Sequence, residues 1–275
     1  MMFDLCLWLR KAIKEVKSRR VRLIKDIGQH LMVCCKLGLA VCNELVNYGV
    51  NRILEIGTGT GFLTAFLSNC SKEVVSVEVD PTILSIGKDL LKDFSNVYLV
   101  LGDGLKLLRN SVIRAEALVS NTPFYISTPL IIGFIKSKYE LAILTVQKEV
   151  ADRLVASPGT KEYGRLSVLA SLFTKVKVIR HFSRNCFLPK PEVDVALISL
   201  VKVKHWEDRY RGFEEFVACL FSERRKKASK VLIKCINKLG LGGEPNELLQ
   251  LVSNKRVYQL SPKELWSIYN LLRGN

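Results

Sequence analysis

The sequence contains few of the residues from which metal centres and acid–base sites are usually built. Among 275 residues there are three histidines, and the eight cysteines include no C-x-x-C pair, so no zinc site is predicted. No Ser-His-Asp, Cys-His or paired-carboxylate arrangement can be recognised. No apolar run approaches the roughly 18 residues that a membrane-spanning helix requires, so we expect no membrane association. Any catalysis should therefore depend on the positioning of reactants.

Acidic residues are scarce relative to basic ones. The chain has 42 Lys and Arg against 26 Asp and Glu, a net charge of +16. This excess predicts a polyanionic partner, either nucleic acid or an acidic membrane surface. One basic cluster lies in a predicted helix at 5–25, where eight cations face one acid, Glu15. A solvated helix face is the alternative, but so one-sided a charge favours phosphate contact. A second cluster comprises Arg224, Arg225, Lys226 and Lys227.

The N-terminus and the cysteines bear on cellular location. The first charges follow a short apolar stretch instead of preceding it, which argues against a secretory signal. Cysteines that are unpaired suit a reducing cytosol. We therefore expect a cytoplasmic protein. We also expect the protein to be a monomer.

The stretch 51–64 predicts a ligand site. The apolar run from Ile53 to Ile56 reads as a buried parallel strand, and a helix follows from Phe62. Between them, glycines recur at Gly57, Gly59 and Gly61, where a backbone without Cβ atoms can turn tightly and approach a ligand. A strand, a glycine turn and a helix N-terminus together form a nucleotide-type site. A glycine turn without a ligand is the alternative.

The glycine spacing decides which ligand is expected. Dinucleotide sites use G-x-G-x-x-G, whereas this chain has G-x-G-x-G preceded by an acid, Glu55. S-adenosylmethionine (SAM) enzymes commonly carry that shorter form. Glu78, 21 residues after Gly57, ends the next strand and could accept both ribose hydroxyls. NAD would use the same acid, so the spacing is the discriminating feature. Asp103 ends the third strand and could bind the cofactor's adenine amino group, although a turn aspartate is the alternative.

Alternating strands and helices predict the fold class. The periodicity indicates a doubly wound α/β sheet, mainly parallel, with its last two strands as an antiparallel edge hairpin. Such a hairpin suits a Rossmann-like SAM-dependent methyltransferase better than a dehydrogenase. We assign residues 1–205 to a SAM-dependent catalytic domain with a basic N-terminal extension, and residues 206–275 to a small all-helical RNA-binding domain. Strands are expected at 52–56, 74–78, 97–101, 116–120, 140–146, 174–181 and 193–203.

The fourth strand ends in the tetrapeptide Asn121-Thr122-Pro123-Phe124. The exocyclic amino group of adenine is a poor nucleophile, because its lone pair is delocalised into the ring. The Asn121 oxygen and the Thr122 carbonyl could accept its two hydrogens, since Pro123 holds Thr122 extended and adds no competing N–H. Phe124 offers a flat face for a base that has left its stack. A simple strand-ending turn is the alternative.

These residues resemble the rRNA adenine N6,N6-dimethyltransferase family, particularly its archaeal and eukaryotic-like members. The likeness covers roughly residues 26–235 and is carried by nine segments in order: GQHLM (28–32), LEIGTGTGFLT (54–64), VEVD (77–80), GDG (102–104), NTPFYIS (121–127), VQKEVADRL (146–154), YGRLSVLA (163–170), FLPKPEVD (187–194) and FSERRKKASKVL (221–232).

The resemblance implies roles for further residues. In the family the G-Q loop closes over the cofactor, which assigns His30 and Met32 to SAM. Phe187 and the cluster at 224–227 are expected to contact RNA. The implied substrate is a pair of adjacent adenosines in the 3′-terminal hairpin loop of small-subunit rRNA, alone or in a pre-ribosomal particle, with four methyl transfers. The other implied cofactor contacts are Gly57, Gly59, Glu78, Asp103 and Asn121.

Three positions depart from the family pattern, and two other functions stay open. Cys34 replaces an aspartate after the G-Q loop, Thr122 a leucine and Phe124 a tyrosine, whose stacking face it keeps. The first alternative is another adenine-N6 methyltransferase, acting on DNA or large-subunit rRNA. The second is a non-catalytic RNA-binding assembly or transcription factor on the same fold.

Overall fold

The computed structural model describes residues 4–18, 30–242, 252 and 254–273. Part of the G-Q loop, Gly28 and Gln29, lies outside these residues. So do four cations of the predicted basic helix, Arg19, Arg20, Arg22 and Lys25.

Helices and strands alternate along the first two thirds of the chain. The helices are α1 (Leu5–Ser18), α2 (Cys35–Asn47), α3 (Phe62–Asn69), α4 (Pro81–Leu91), α5 (Gly104–Asn110), α6 (Ser127–Lys136), α7 (Lys148–Leu154), α8 (Arg165–Phe173), α9 (Tyr210–Phe221), α10 (Ala228–Leu239) and α11 (Pro262–Arg273). The strands are β1 (Leu31–Met32), β2 (Arg52–Ile56), β3 (Glu73–Glu78), β4 (Val97–Leu101), β5 (Ala117–Asn121), β6 (Leu141–Gln147), β7 (Thr174–Phe182), β8 (Phe187–Leu188) and β9 (Val195–Lys202).

Seven strands form the central sheet, in the order β4-β3-β2-β5-β6-β9-β7. The first five in this order pair in parallel, and β9 pairs antiparallel with β6. This confirms the predicted Rossmann-like class. β7 and β9 are neighbours, as expected, and β9 lies inside the edge while β7 forms it. A two-stranded ribbon of β1 and β8 stands apart from the sheet. Within the described ranges, no helix is long and apolar enough to cross a membrane.

The basic N-terminal helix α1 also has an apolar face. Leu5, Leu9, Ala12 and Val16 recur at helical spacing and are buried in the core of the first unit. The Trp8 ring packs edge-on against Phe62 and Phe94. The opposite face carries exposed cations, namely Arg10, Lys11, Lys14 and Lys17. One helix therefore combines a packing role with a positively charged outer surface.

The chain divides into two compact units: residues 1–151 with 177–202, and residues 152–176 with 203–275. The sequence-based boundary at 205/206 left residues 152–176 in the first domain. In the structure they pack on the C-terminal helices, because the Phe173 ring contacts Tyr210 and the Tyr163 hydroxyl donates to the Leu260 carbonyl at 2.8 Å. Edge-on and tilted ring pairs among Tyr210, Phe213 and Trp266 build the rest of this core.

Six of the eight cysteines are bonded in pairs, which corrects the expectation that they are unpaired. The pairs are separated by 16 to 29 residues and have Cα–Cα distances of 5.4–5.9 Å. Each pair joins helices that pack together, so the pairing depends on tertiary structure and not on spacing. Cys34 and Cys186 are free thiols, and burial raises the pKa of Cys186 to about 12. The bonded pairs are Cys6–Cys35, Cys42–Cys70 and Cys219–Cys235.

We predict that the unreduced, denatured protein has two titratable thiols and the reduced protein eight. The Cys219→Ser/Cys235→Ser double variant should lose about 3 kcal/mol of stability, because the bond closes a 16-residue separation. Thiol titration and urea melts measure both effects, with Cys186→Ser as the matched control. Eight thiols without reduction would contradict the prediction.

Candidate active site

A cavity of about 280 Å³ lies beyond the carboxyl ends of β2, β3, β4 and β5 in the first unit. The parallel pairing of these strands brings four separate loops to one sheet edge. Eight of the residues predicted from sequence line this one cavity: His30, Met32, Gly57, Gly59, Glu78, Asp103, Asn121 and Pro123.

The glycine turn has a backbone that other residues would strain. Gly57, Gly59 and Gly61 have φ angles of +89°, +55° and +82°. A Cβ on Gly61 would lie 2.5 Å from the Leu91 Cδ1, so this position also allows α4 to pack closely. A Cβ on Gly57 would lie 3.8 Å from Pro123 Cδ, which shows that the glycine turn and the tetrapeptide meet.

Glu78 is buried and holds the glycine turn in place. Its Oε2 accepts a hydrogen bond from the Gly59 N–H at 2.8 Å, and its Oε1 accepts from Val79 and Asp80 N–H groups at 3.0 and 3.1 Å. A carboxylate has about four acceptor sites, so one remains on Oε2 for a ligand hydroxyl. The side chain that we predict to bind ribose therefore holds the glycine turn through the Gly59 N–H.

Glu55 carries an unsatisfied acceptor. It is fully buried, and its Oε2 accepts from the Thr64 and Ser76 hydroxyls at 2.6 Å each. Its Oε1 has no partner among the described residues. Burial, with a smaller effect from the Glu78 charge, raises the pKa of Glu55 from 4.5 to about 7, although its two hydrogen bonds oppose this.

Asp103 caps a helix and lines the cavity, and its contact with the cofactor's adenine stays a prediction. Its Oδ1 accepts from the Leu105 and Lys106 N–H groups at 2.9 and 3.2 Å and so caps α5. The residue is exposed and lines the cavity. The apolar side chains of Val79, Ile83 and Leu105 line the same region. Together they form a largely apolar pocket with carboxylates at its edge, which suits an adenosine.

Asn121 is fixed from two sides. Its Nδ2 donates to the His30 carbonyl at 2.6 Å, and its Oδ1 accepts from the Thr145 hydroxyl at 2.7 Å. Thr145 is the direct partner of Asn121 in the β5–β6 register and is buried. The His30 carbonyl is an acceptor only, so it sets which end of the amide faces it. Oδ1 is left with a second lone pair for a donor in the cavity.

The His30 side chain joins two further segments. Its Nδ1 lies 2.6 Å from the Pro189 carbonyl, and its ring lies 4.8 Å from the Phe124 ring, tilted by 39°. The β1–β8 ribbon holds this arrangement, with Leu31 opposite Leu188. The cofactor loop, the tetrapeptide and the FLPKPEVD segment therefore converge on His30.

Comparison with known proteins identifies the family to which this chain belongs. The family model for ribosomal RNA adenine dimethylase matches residues 47–273. The chain belongs to that family. It is 35% identical over 273 residues to a probable ribosomal RNA small subunit methyltransferase A of Thermococcus sibiricus, covering 96% of this chain and 97% of that protein. The corresponding protein of Methanothermobacter thermautotrophicus is 34% identical over 253 residues, with 90% of each chain covered.

A solved dimethyladenosine transferase from Plasmodium falciparum has the same fold as this dimethylase-family chain. The TM-score is 0.71 at 23% identity, covering 87% of this chain and 96% of that one. At this identity the likeness supports the fold alone.

Among the described residues, no cluster of three or more His, Cys, Asp or Glu could hold a metal ion.

Two predicted aromatic positions differ in accessibility. Phe124 is half-buried, and one side of its ring is occupied by His30. Phe187, which was expected to contact RNA, is only 4% exposed and packs in the core. It offers no open face to a base in this structure. Thr122 is buried, and its hydroxyl lies 3.4 Å from the Ser120 carbonyl, while its own carbonyl remains the predicted second acceptor.

The second basic cluster is not uniform. Arg224 is half-buried and donates to the Lys161 carbonyl, so it serves the structure of the second unit. Lys226 is exposed and pairs with Glu223. Arg225 and Lys227 are also exposed, and they follow α9 as the chain enters α10. Four cations that are equivalent by sequence therefore differ in the structure: Arg224 is half-buried, whereas Arg225, Lys226 and Lys227 are exposed.

Sequence reasoning missed two residues that contact or line the candidate site. Thr145 contacts Asn121 only through strand pairing, which no local pattern in LTVQ indicates. Tyr125 lines the cavity and is 56% exposed. It lies next to Phe124, so an aromatic pair directly after Asn-x-Pro was the available signal.

We predict that Glu55→Gln removes a pH dependence of stability. Because the folded protein holds a proton that the unfolded chain releases between pH 4.5 and about 7, wild-type stability falls as pH rises across that window. The loss approaches about 3 kcal/mol at pH 8. A glutamine amide can keep the two bonds at Oε2 while carrying no charge. Urea melts of both proteins from pH 4 to 8 measure this, and parallel curves would contradict it.

We predict that Thr145→Val lowers the rate of methyl transfer about 2- to 12-fold, the effect of one hydrogen bond lost at Asn121. Valine keeps the shape of threonine but cannot donate. Thr145→Ser should restore the rate, and SAM affinity should not change. Single-turnover methylation with calorimetry measures both. A serine variant as slow as the valine variant would indicate a packing role only.

Proposed function

We propose that this chain transfers methyl groups from SAM to the N6 atoms of two adjacent adenosines in the 3′-terminal hairpin loop of small-subunit rRNA. One observation carries the proposal: Asn121 and Pro123 line the same cavity as the glycine turn, Glu78 and Asp103. An adenine acceptor site and an adenosine-type cofactor site are thereby adjacent. Family membership supports rRNA adenine as the target.

The residues of the cavity fit SAM. A glycine turn without Cβ atoms, a free lone pair on Glu78 and the exposed carboxylate of Asp103 suit its adenosine. His30 and Met32 line the cavity and would contact the cofactor from β1. When bound, SAM supplies a methyl group on a positively charged sulfur that leaves as a neutral thioether.

The tetrapeptide would prepare the adenine nitrogen. Asn121 Oδ1 accepts one N6–H, and the Thr122 carbonyl accepts the other, which localises the nitrogen lone pair toward the cofactor. The bonds from His30 and Thr145 hold the Asn121 amide before substrate arrives, so little reorganisation is needed. Phe124 is half-buried beside His30, and we infer that its ring stacks on the base.

RNA binding is assigned to the positively charged surfaces. The exposed face of α1 and the outward cations Arg225, Lys226 and Lys227 would contact phosphates, consistent with the net charge of +16. We infer that the helices of the second unit contribute to this binding. The partner is small-subunit rRNA or its pre-ribosomal particle. We place the monomeric enzyme in the cytoplasm because its proposed substrate is found there, and no longer because of its cysteines, six of which are paired.

Primer extension on small-subunit rRNA tests the proposal. Dimethylation removes both N6 hydrogens, so reverse transcriptase should stop at the two adenosines after incubation with SAM and the wild-type protein. Asn121→Ala should abolish the stop even at SAM concentrations that saturate the variant, and Glu78→Ala should weaken SAM binding. Stops on large-subunit rRNA or DNA alone would redirect the assignment to another adenine methyltransferase. SAM-independent RNA binding with no stop would indicate a non-catalytic factor.

A further inference from the structure

Three residues that line the cavity are exposed at its rim: Val79, Asp103 and Tyr125. Val79 and Asp103 follow β3 and β4, whereas Tyr125 follows β5. Since the sheet order is β4-β3-β2-β5, the glycine turn after β2 lies between these two parts of the rim. The first part surrounds the acids assigned to the cofactor's adenosine. Tyr125 belongs to the other part, beside the tetrapeptide.

We propose that Tyr125 stacks on a nucleobase of the RNA substrate at the mouth of the cavity. This inference rests on the proposed function and adds a substrate-contacting residue to it. The other aromatic side chains nearby are less available. Phe62 lines the cavity but is 3% exposed, and Phe124 has one side of its ring against His30. Tyr125, at 56% exposure, is the large open ring on this side.

The backbone around Tyr125 is held in one conformation. It is the middle residue of a single turn, Phe124–Ile126, whose Ile126 N–H donates to the Pro123 carbonyl at 3.0 Å. The turn leads directly into α6. Pro123 and Ile126 also line the cavity, so the residues on both sides of Tyr125 are fixed to its wall. A fixed backbone limits the positions that the ring can take, so less conformational freedom is lost when a base stacks on it.

The chemistry of the site favours a base over other contacts. A tyrosine ring in open solvent gains by covering its face with a flat aromatic partner, and every nucleobase has such a face. The phenol makes no hydrogen bond with the described residues, so it need not break one to bind. A base that enters toward Asn121 must leave its helical stack, and an aromatic surface at the entrance replaces part of the lost stacking.

The test compares Tyr125→Ala with Tyr125→Phe and with Tyr98→Ala. Tyr98 on β4 has the same exposure, 56%, and does not line the cavity, so it controls for loss of a surface tyrosine. Tyr125→Ala should reduce single-turnover methylation at subsaturating RNA about 5- to 150-fold, the effect of one base stack. Tyr125→Phe and Tyr98→Ala should retain wild-type rates. SAM affinity in calorimetry should be the same in all four proteins.

Two results would overturn the proposal while leaving the proposed function intact. One is a Tyr125→Ala protein that methylates at the wild-type rate. The other is a loss of SAM affinity that accounts for the whole rate effect, which would place the ring in the cofactor site. A wild-type protein that gives no methylation would refute the proposed function instead. As a second readout, 2-aminopurine in place of each target adenosine should show fluorescence that changes with Tyr125→Ala and not with Tyr98→Ala.

Discussion

Parallel pairing of four neighbouring strands is the constraint on which the site depends. Because β4, β3, β2 and β5 run in the same direction, the loops after them meet at one edge of the sheet. Residues as distant in sequence as Gly57 and Asn121 are brought together in this way. The ladder hydrogen bonds stabilise the strands, and the loops are free to carry function because they are not part of the core.

His30 connects the loops that parallel pairing brings together. Its carbonyl bonds to Asn121, its Nδ1 to the Pro189 carbonyl, and its ring packs on Phe124. The segment that would cover the cofactor is therefore bonded directly to the side chain that would hold the adenine. Ordering one of them favours order in the other, because they share a hydrogen bond.

The two buried acids of the glycine turn show how neighbouring carboxylates acquire different properties. Glu78 accepts three backbone N–H bonds, which hold the glycine turn against it. Glu55 accepts two hydroxyl bonds and has a bare Oε1, and burial raises its pKa to about 7. Glu55 therefore keeps its proton to a higher pH than an exposed carboxyl group does.

Local patterns in the sequence by themselves determined the fold class and most of the cavity. The sequence predicted the glycine turn, Glu78 and Asn121 as site residues because each lies at the end of a predicted strand. A glycine, an acid or an asparagine in that position can be recognised from neighbouring residues alone. Only tertiary structure decided the contacts made across long separations: Thr145 on Asn121, and the three disulfides. Tertiary structure also determined that Arg224 donates to the Lys161 carbonyl, whereas the cations after it are exposed. In the same way it determined that Phe187 is buried. The physical reason is that burial and partner choice are set by packing between elements far apart in the chain, which local sequence patterns do not reveal.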